Sequence, residues 1–165
     1  MSVERNLPIV RERKLAILKG DPELCDKQKK AGKPLARERV ARLFDASSFV
    51  EPDVLNADAG VVTGYGLIED KPDSVHAQDF TVKGGSVGAQ HAKKILKVMD
   101  LAEKTGAPLV AILDTAGARL DEGLDAMNAY AMIAGRVSAL SGVVPQIAVL
   151  AGPCIGSSSL IAANA

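Results

Sequence analysis

The chain has 165 residues, 20 Lys and Arg against 20 Asp and Glu, two histidines, no Trp and only 3% aromatic residues. That length buries a core without a metal or disulfide staple. Balanced charge argues against a nucleic-acid partner, and the shortage of rings removes the stacking platforms used on single strands.

The first 45 residues read as helices. Met1-Ser2-Val3-Glu4-Arg5 mixes charges and has no apolar signal core. Pro8 suits a first helical turn, Ile9, Leu15, Ile17 and Leu18 follow it, and Gly20 stops the run. Asp21-Pro22-Glu23 opens a second helix with Asp21 as N-cap, closed by Gly32. Pro34 opens a third, with Leu35, Val40, Leu43 and Phe44 as its apolar stripe. This stretch holds 12 Lys and Arg and 7 Asp and Glu, a density that reads as a solvated helical lead-in, residues 1–45.

From residue 46 to 165 the pattern becomes α/β. Ser48-Phe49-Val50 and Gly60 to Ile68 are predicted strands. Glu69 to Pro72 is a turn, and Val75 to Phe80 is the partner strand of a hairpin. Gly84-Gly85-Ser86-Val87-Gly88 leads into a helix over Ala89 to Lys104, closed by Gly106. Ile95, Leu96, Met99 and Leu101 or Ala102 are its buried face, and Lys93, Lys94 and Lys97 are expected to face water. Two similar units follow. Pro108 to Asp114 and Val144 to Ala151 are apolar strands, the first followed by a helix over Glu122 to Leu140 and the second by a helix near Ser157. Strands apolar on both faces, alternating with helices, predict a parallel α/β layer. No apolar run reaches membrane-spanning length. Cys25 and Cys154 form neither a CxxC pair nor a disulfide framework, so a reduced, cytoplasmic setting is expected.

Ligands in such folds bind at the loops beyond the strands' C-terminal ends. Two loops qualify, Asp114 to Gly123 and Gly152 to Ser159. Small residues there expose backbone N–H groups to a ligand oxygen, or merely permit tight strand–helix packing; composition leaves both open. No side chain stands out as catalyst. His76 and His91 lack partners at metal spacing, and Cys154 has no base beside it in sequence. Ser157-Ser158-Ser159 lacks the nucleophile-elbow pattern, and Gly64-Tyr65-Gly66 has no following helix. Asp121 and Glu122 fit best as charge favouring a helix N-terminus.

At these residues the sequence resembles the carboxyltransferase β-subunits of biotin-dependent acyl-CoA carboxylases, of the propionyl-CoA carboxylase and methylmalonyl-CoA decarboxylase type. The matching segments run in order: Pro34 to Val40, Ser48 to Glu51, Gly60 to Gly66, Ala77 to Gly88, His91 to Ile95, Lys104 to Pro108, Gly117 to Arg119, Ser141 to Ile147 and Gly152 to Cys154. The resemblance implies a crotonase-like spiral of ββα units with N-terminal helices. It implies an acyl-CoA-binding enzyme that moves a carboxyl group between carboxybiotin and the acyl α-carbon, with biotin on a partner carrier protein or domain and no metal. By matching position, Ala116, Gly117 and Ala118 supply donors to the thioester oxygen, and Gly156 and Ser157 a second set. Phe80, Gly84 and Gly85 are further substrate-contact candidates, and Arg37, Arg39 and Lys83 are candidates for the CoA phosphates.

The chain departs from the family pattern in several places. Ala116-Gly117 stands where the family has Gly-Gly, tolerable if φ at Ala116 is negative. Cys154-Ile155-Gly156-Ser157-Ser158 replaces Cys-Ala-Gly-Gly-Ala, and Asp73, Ser74 and His76 replace apolar hairpin residues. The family carries two crotonase-like halves, so a truncated first half is expected here, working with the missing C-terminal half in a homo-oligomer. The alternatives are a decarboxylase of methylmalonyl-CoA or a related acyl-CoA, a non-catalytic CoA-binding or assembly module, and a stand-alone hydratase or isomerase. For the last, Leu160 occupies the place of an acidic residue.

Overall fold

The computed structural model describes residues 3–165, with side chains from Asn6 onward; Met1 and Ser2 of the N-terminal stretch read above lie outside the described residues. Helix α1 spans Val3–Lys19 and encloses Pro8 rather than starting at it. Pro8 gives up one bond of the helix ladder, and the helix continues across it. Helix α2 is Pro22–Lys30, and the Asp21 carboxylate accepts from the N–H groups of Glu23 and Leu24 at 2.9 and 3.1 Å, as the capping pattern predicts. Helix α3 is Ala36–Leu43, its start stabilised by Glu38, which accepts from Leu35 N–H at 3.0 Å.

Strands β1 (Val61–Ile68) and β2 (Lys71–Gln78) form the expected antiparallel hairpin. The turn is narrower than predicted. Only Glu69 and Asp70 form it, both at positive φ, and the Asp45 carboxylate accepts from their N–H groups at 3.2 and 2.9 Å. Pro72 is tolerated inside β2 because β3 pairs with that strand only from Ser74 onward. The expected strand at Ser48–Val50 reduces to one bridge between Val50 and Tyr65. A side chain at Gly64 would overlap the Val50 carbonyl and the Phe49 ring, so glycine permits even that single approach.

Helix α4 (Ala89–Thr105) ends at Gly106 with φ +70°, and leads to β3 (Leu109–Thr115). Helix α5 (Leu124–Leu140), β4 (Gln146–Cys154) and α6 (Ser157–Ala163) complete the order. The sheet runs β1-β2-β3-β4, with β2, β3 and β4 parallel. One layer buries Ile95, Met99, Ile133, Val137 and Leu140 from α4 and α5. On the other face Ala36, Val40 and Phe44 meet Val62, Val75, Val110 and Ile112. Helix α3 therefore belongs to the α/β body by packing, although its composition groups it with the charged lead-in. All of β3 is buried, as a two-sided apolar strand predicts. In contrast, β4, which pairs only with β3 among the described residues, leaves Ile147 and Leu150 exposed.

One surface assignment is overturned. Lys94, expected in water, is 3% exposed. Its ammonium donates to the Val61 carbonyl at 2.8 Å and faces Glu51 at 3.7 Å. Burial is the main cause lowering its pKa, and the Glu51 carboxylate opposes that shift. Helical spacing from Ile95 alone would have put Lys94 at the margin of the apolar stripe; the Glu51 carboxylate draws it under the hairpin. Among the described residues no helix is long and apolar enough to cross a membrane.

Candidate active site: two loops of backbone donors

Strands β3 and β4 end side by side, Thr115 opposite Cys154, and each feeds one of the two small-residue loops. The loops touch. Ile155 N–H donates to the Thr115 carbonyl at 3.4 Å, and a Cβ at Gly117 would lie 3.3 Å from the Ile155 carbonyl oxygen. Gly117 has φ +100°, a conformation closed to ordinary side chains, whereas Ala116 keeps a negative φ and is unstrained. The Ala-for-Gly departure at 116 thus falls on the position that tolerates it.

The three predicted donors of the first loop are not equivalent. Ala116 N–H donates to the Gly84 carbonyl at 2.8 Å, and Gly117 N–H donates to Thr115 Oγ1 at 3.1 Å. Both N–H groups are therefore already partnered in this conformation. Ala118 N–H has no partner among the described residues, and neither have the N–H groups of Gly156 and Ser157. Gly156, at φ +65°, turns the chain into α6.

The glycine-rich segment before α4 holds the first loop in place. Val87 N–H donates to the Gly117 carbonyl and Arg119 N–H to the Val87 carbonyl, both at 2.9 Å. At Gly85, also at positive φ, a side chain would overlap the Asp114 carbonyl. Gly84 and Gly85, predicted to contact substrate, serve here as a backbone clamp. Arg119, 4% exposed, staples the same region: its guanidinium donates to the carbonyls of Ala59 (3.2 Å), Ser86 (3.0 Å) and Asp58 (3.3 Å), to Ser86 Oγ (3.3 Å) and to Glu122 (3.2 Å). Glu122 in turn accepts from Ala89 N–H at 2.6 Å. It favours a helix N-terminus as expected, but that of α4 rather than the helix following it.

Beneath the first loop lies an ion cluster. Asp114 is fully buried; Arg39 donates to its Oδ2 at 2.8 Å and Gln28 at 3.1 Å, and Lys33 stands 3.6 Å from Oδ1. Arg39 also donates to the Ala151 carbonyl at 3.2 Å. Arg37 is held by both carboxylate oxygens of Glu51. The guanidinium groups of Arg37 and Arg39 thus face carboxylates of the same chain rather than open solvent. Lys83 is the more available cation, 55% exposed and 3.7 Å from an exposed Asp121 carboxylate. Phe80 stands under the Lys33 ammonium, 5.4 Å from its ring centre.

Among the described residues no titratable side chain is poised at the donors. Burial raises the Cys154 thiol pKa, keeping it protonated. His76 and His91 are buried and structural. Desolvation lowers them to about 4 and about 3 respectively, and His91 Nδ1 sits 2.8 Å from the Ala59 carbonyl. Arg119 and Asp114 were missed as organising residues. Both carried a signal, since a charge inside an all-small loop or at the end of a doubly buried strand demands a partner.

This geometry has known counterparts. The carboxyl transferase domain family matches residues 27–164. Methylmalonyl-CoA decarboxylase subunit alpha of Veillonella parvula is 44% identical over 94% of this chain and 33% of its own length. Propionyl-CoA carboxylase beta chain of Saccharopolyspora erythraea is 46% identical over 86% of this chain and 28% of its own. The transcarboxylase 12S structure, a hexamer with methylmalonyl-coenzyme A and methylmalonic acid bound, superposes with a TM-score of 0.92 at 37% identity, covering 99% of this chain and 35% of that one. The chain spans about a third of the length of these relatives. Its hairpin, parallel strands and covering helices follow the crotonase-like fold of those carboxyltransferases. The chain belongs to the carboxyl transferase domain family.

Proposed function

We propose that this chain supplies the acyl-CoA-binding half of a biotin-dependent carboxyltransferase, acting on a short acyl-CoA such as propionyl-CoA. The observation that carries this reading is the set of unpartnered N–H groups at Ala118, Gly156 and Ser157 on two touching loops. Removing the α-proton of an acyl-CoA, or a carboxyl group from the same carbon, puts negative charge on the thioester oxygen. Preorganised donors stabilise that charge, each contributing about 3 kcal/mol where water is excluded. Since the same enolate lies on both paths, the loops serve decarboxylation of methylmalonyl-CoA equally well, and relatives carry both names.

The absence of a poised base at the donors fits a reaction whose proton acceptor arrives with the co-substrate. That co-substrate is proposed to be biotin on a carrier protein, which supplies a ureido nitrogen as carboxyl donor or acceptor. The donors described amount to one cradle for one carbonyl, so no residue of this chain is assigned to biotin. Turnover is proposed to require a second carboxyltransferase half within an oligomer. Of the candidates, Lys83 is the proposed contact for the CoA phosphates and Phe80, under the Lys33 ammonium, for the acyl-CoA arm. Calorimetric titration with propionyl-CoA, methylmalonyl-CoA and free CoA tests the reading. Tighter binding of the thioesters is expected; equal affinity for free CoA would refute it.

A further inference from the structure

The two donor loops are joined by more than their backbone contact. Tyr130, on α5, is buried, and its hydroxyl lies 2.6 Å from Oγ of Ser158, itself 2% exposed and one residue beyond the donor Ser157. Burial raises the Tyr130 phenol pKa, and its hydrogen bond with Ser158 opposes that shift. Thr115 is fully buried, and its Oγ1 accepts from Gly117 N–H at 3.1 Å, one residue before the donor Ala118. The phenol thus anchors the root of the second loop, while Thr115 takes the Gly117 N–H of the first loop and the Ile155 N–H of the second.

We propose that Tyr130 is a positioning residue that sets the spacing of the two donor loops through Ser158, so that Ala118 and the Gly156–Ser157 donors meet one thioester oxygen. The proposal rests on the thioester-binding reading above. Tyr130 touches no ligand in this role. A side chain from α5 suits it, because a long helix packed on α4 moves less than either loop. The α5 register brings a phenol there, and the Ser157-Ser158-Ser159 run supplies the hydroxyl that meets it.

The test uses the whole 165-residue chain and two probes, propionyl-CoA and its thioether analogue S-propyl-CoA, which lacks the carbonyl. The unaltered chain is expected to prefer the thioester by about tenfold, the worth of a good hydrogen bond. Tyr130→Phe is expected to bring that preference within twofold while leaving thioether affinity unchanged. Ser158→Ala should do the same, and the double variant should lose nothing further. Amide exchange gives a readout independent of ligand: the Gly117 and Ile155 N–H groups should exchange about tenfold faster in Tyr130→Phe, while amides in the middle of α4 do not change. Retained thioester preference, or unchanged Gly117 and Ile155 exchange, in a folded Tyr130→Phe chain overturns the proposal. An unaltered chain that binds both probes alike overturns the thioester reading instead, and the exchange data then still decide whether the phenol holds the loops.

Discussion

Asp114 offers the sharpest energetic test, because its carboxylate is fully buried and ties two N-terminal helices to the sheet. Asp114→Asn keeps the shape but removes the charge that faces Arg39 at 2.8 Å and Lys33 at 3.6 Å. The Arg39 side chain is 9% exposed, so its cation is left nearly dry and without a counter-ion. Breaking such a pair costs about 3 kcal/mol. For a chain of this size that corresponds to a melting temperature lower by about 6–12 °C. Arg39→Met alone should cost about as much, since it strands the carboxylate with Lys33 and Gln28. The double variant should also lose only about 3 kcal/mol, because both charges leave together. Urea unfolding of the four chains measures this cycle. Losses that add to within about 0.5 kcal/mol would refute the reasoning, showing that the two groups do not depend on each other.

Gly117→Ala should destabilise by about 1–3 kcal/mol and weaken thioester binding, since it forces a side chain into φ +100° against Ile155; Ala116→Gly, on the tolerant position, should cost under about 1 kcal/mol. Thermal melts and calorimetry separate the two. Stability should fall as pH drops from about 6.5 toward 5. His76 and His91 stay neutral when folded, at about 4 and about 3, so the unfolded chain binds more protons throughout that window. Unfolding free energy should therefore change by about 2.5 kcal/mol per pH unit near pH 5.5, and a flat profile there would contradict the burial of both rings. Arg119→Lys should cost about 2–4 kcal/mol by circular-dichroism melts, because an ammonium cannot reach the spread of carbonyls that the guanidinium satisfies.

Much of the fold was legible from local rules. Asp21 caps α2, Gly106 ends α4 in the left-handed region, and the continuous apolar run of β3 is buried throughout. The errors fell where a residue's fate depends on something distant in sequence. Lys94 sits on a helix whose spacing marks it as marginal, and Glu51 decides that it goes inside. Val50 lies in a strand-like tripeptide, yet its neighbours turn away after one bridge to Tyr65. Of the five donor residues inferred from resemblance, Ala116 and Gly117 give their N–H groups to Gly84 and Thr115. The Gly84 bond is long-range, whereas the Thr115 bond spans two residues and is a local hydroxyl turn within reach of a sequence reading.

By itself, then, the sequence determined the order of elements, the two small-residue loops after β3 and β4, and the family to which the chain belongs. These depend on spacing, backbone preference and a long ordered set of motifs. Only the tertiary structure decided which N–H groups of the two loops are already partnered and which are left without a partner among the described residues. It alone showed that the buried Asp114 and Arg119 tie the surrounding segments to the first loop. The physical reason is that a backbone donor has no side-chain chemistry to betray it. Its availability is whatever remains after the fold has satisfied every other hydrogen bond around it.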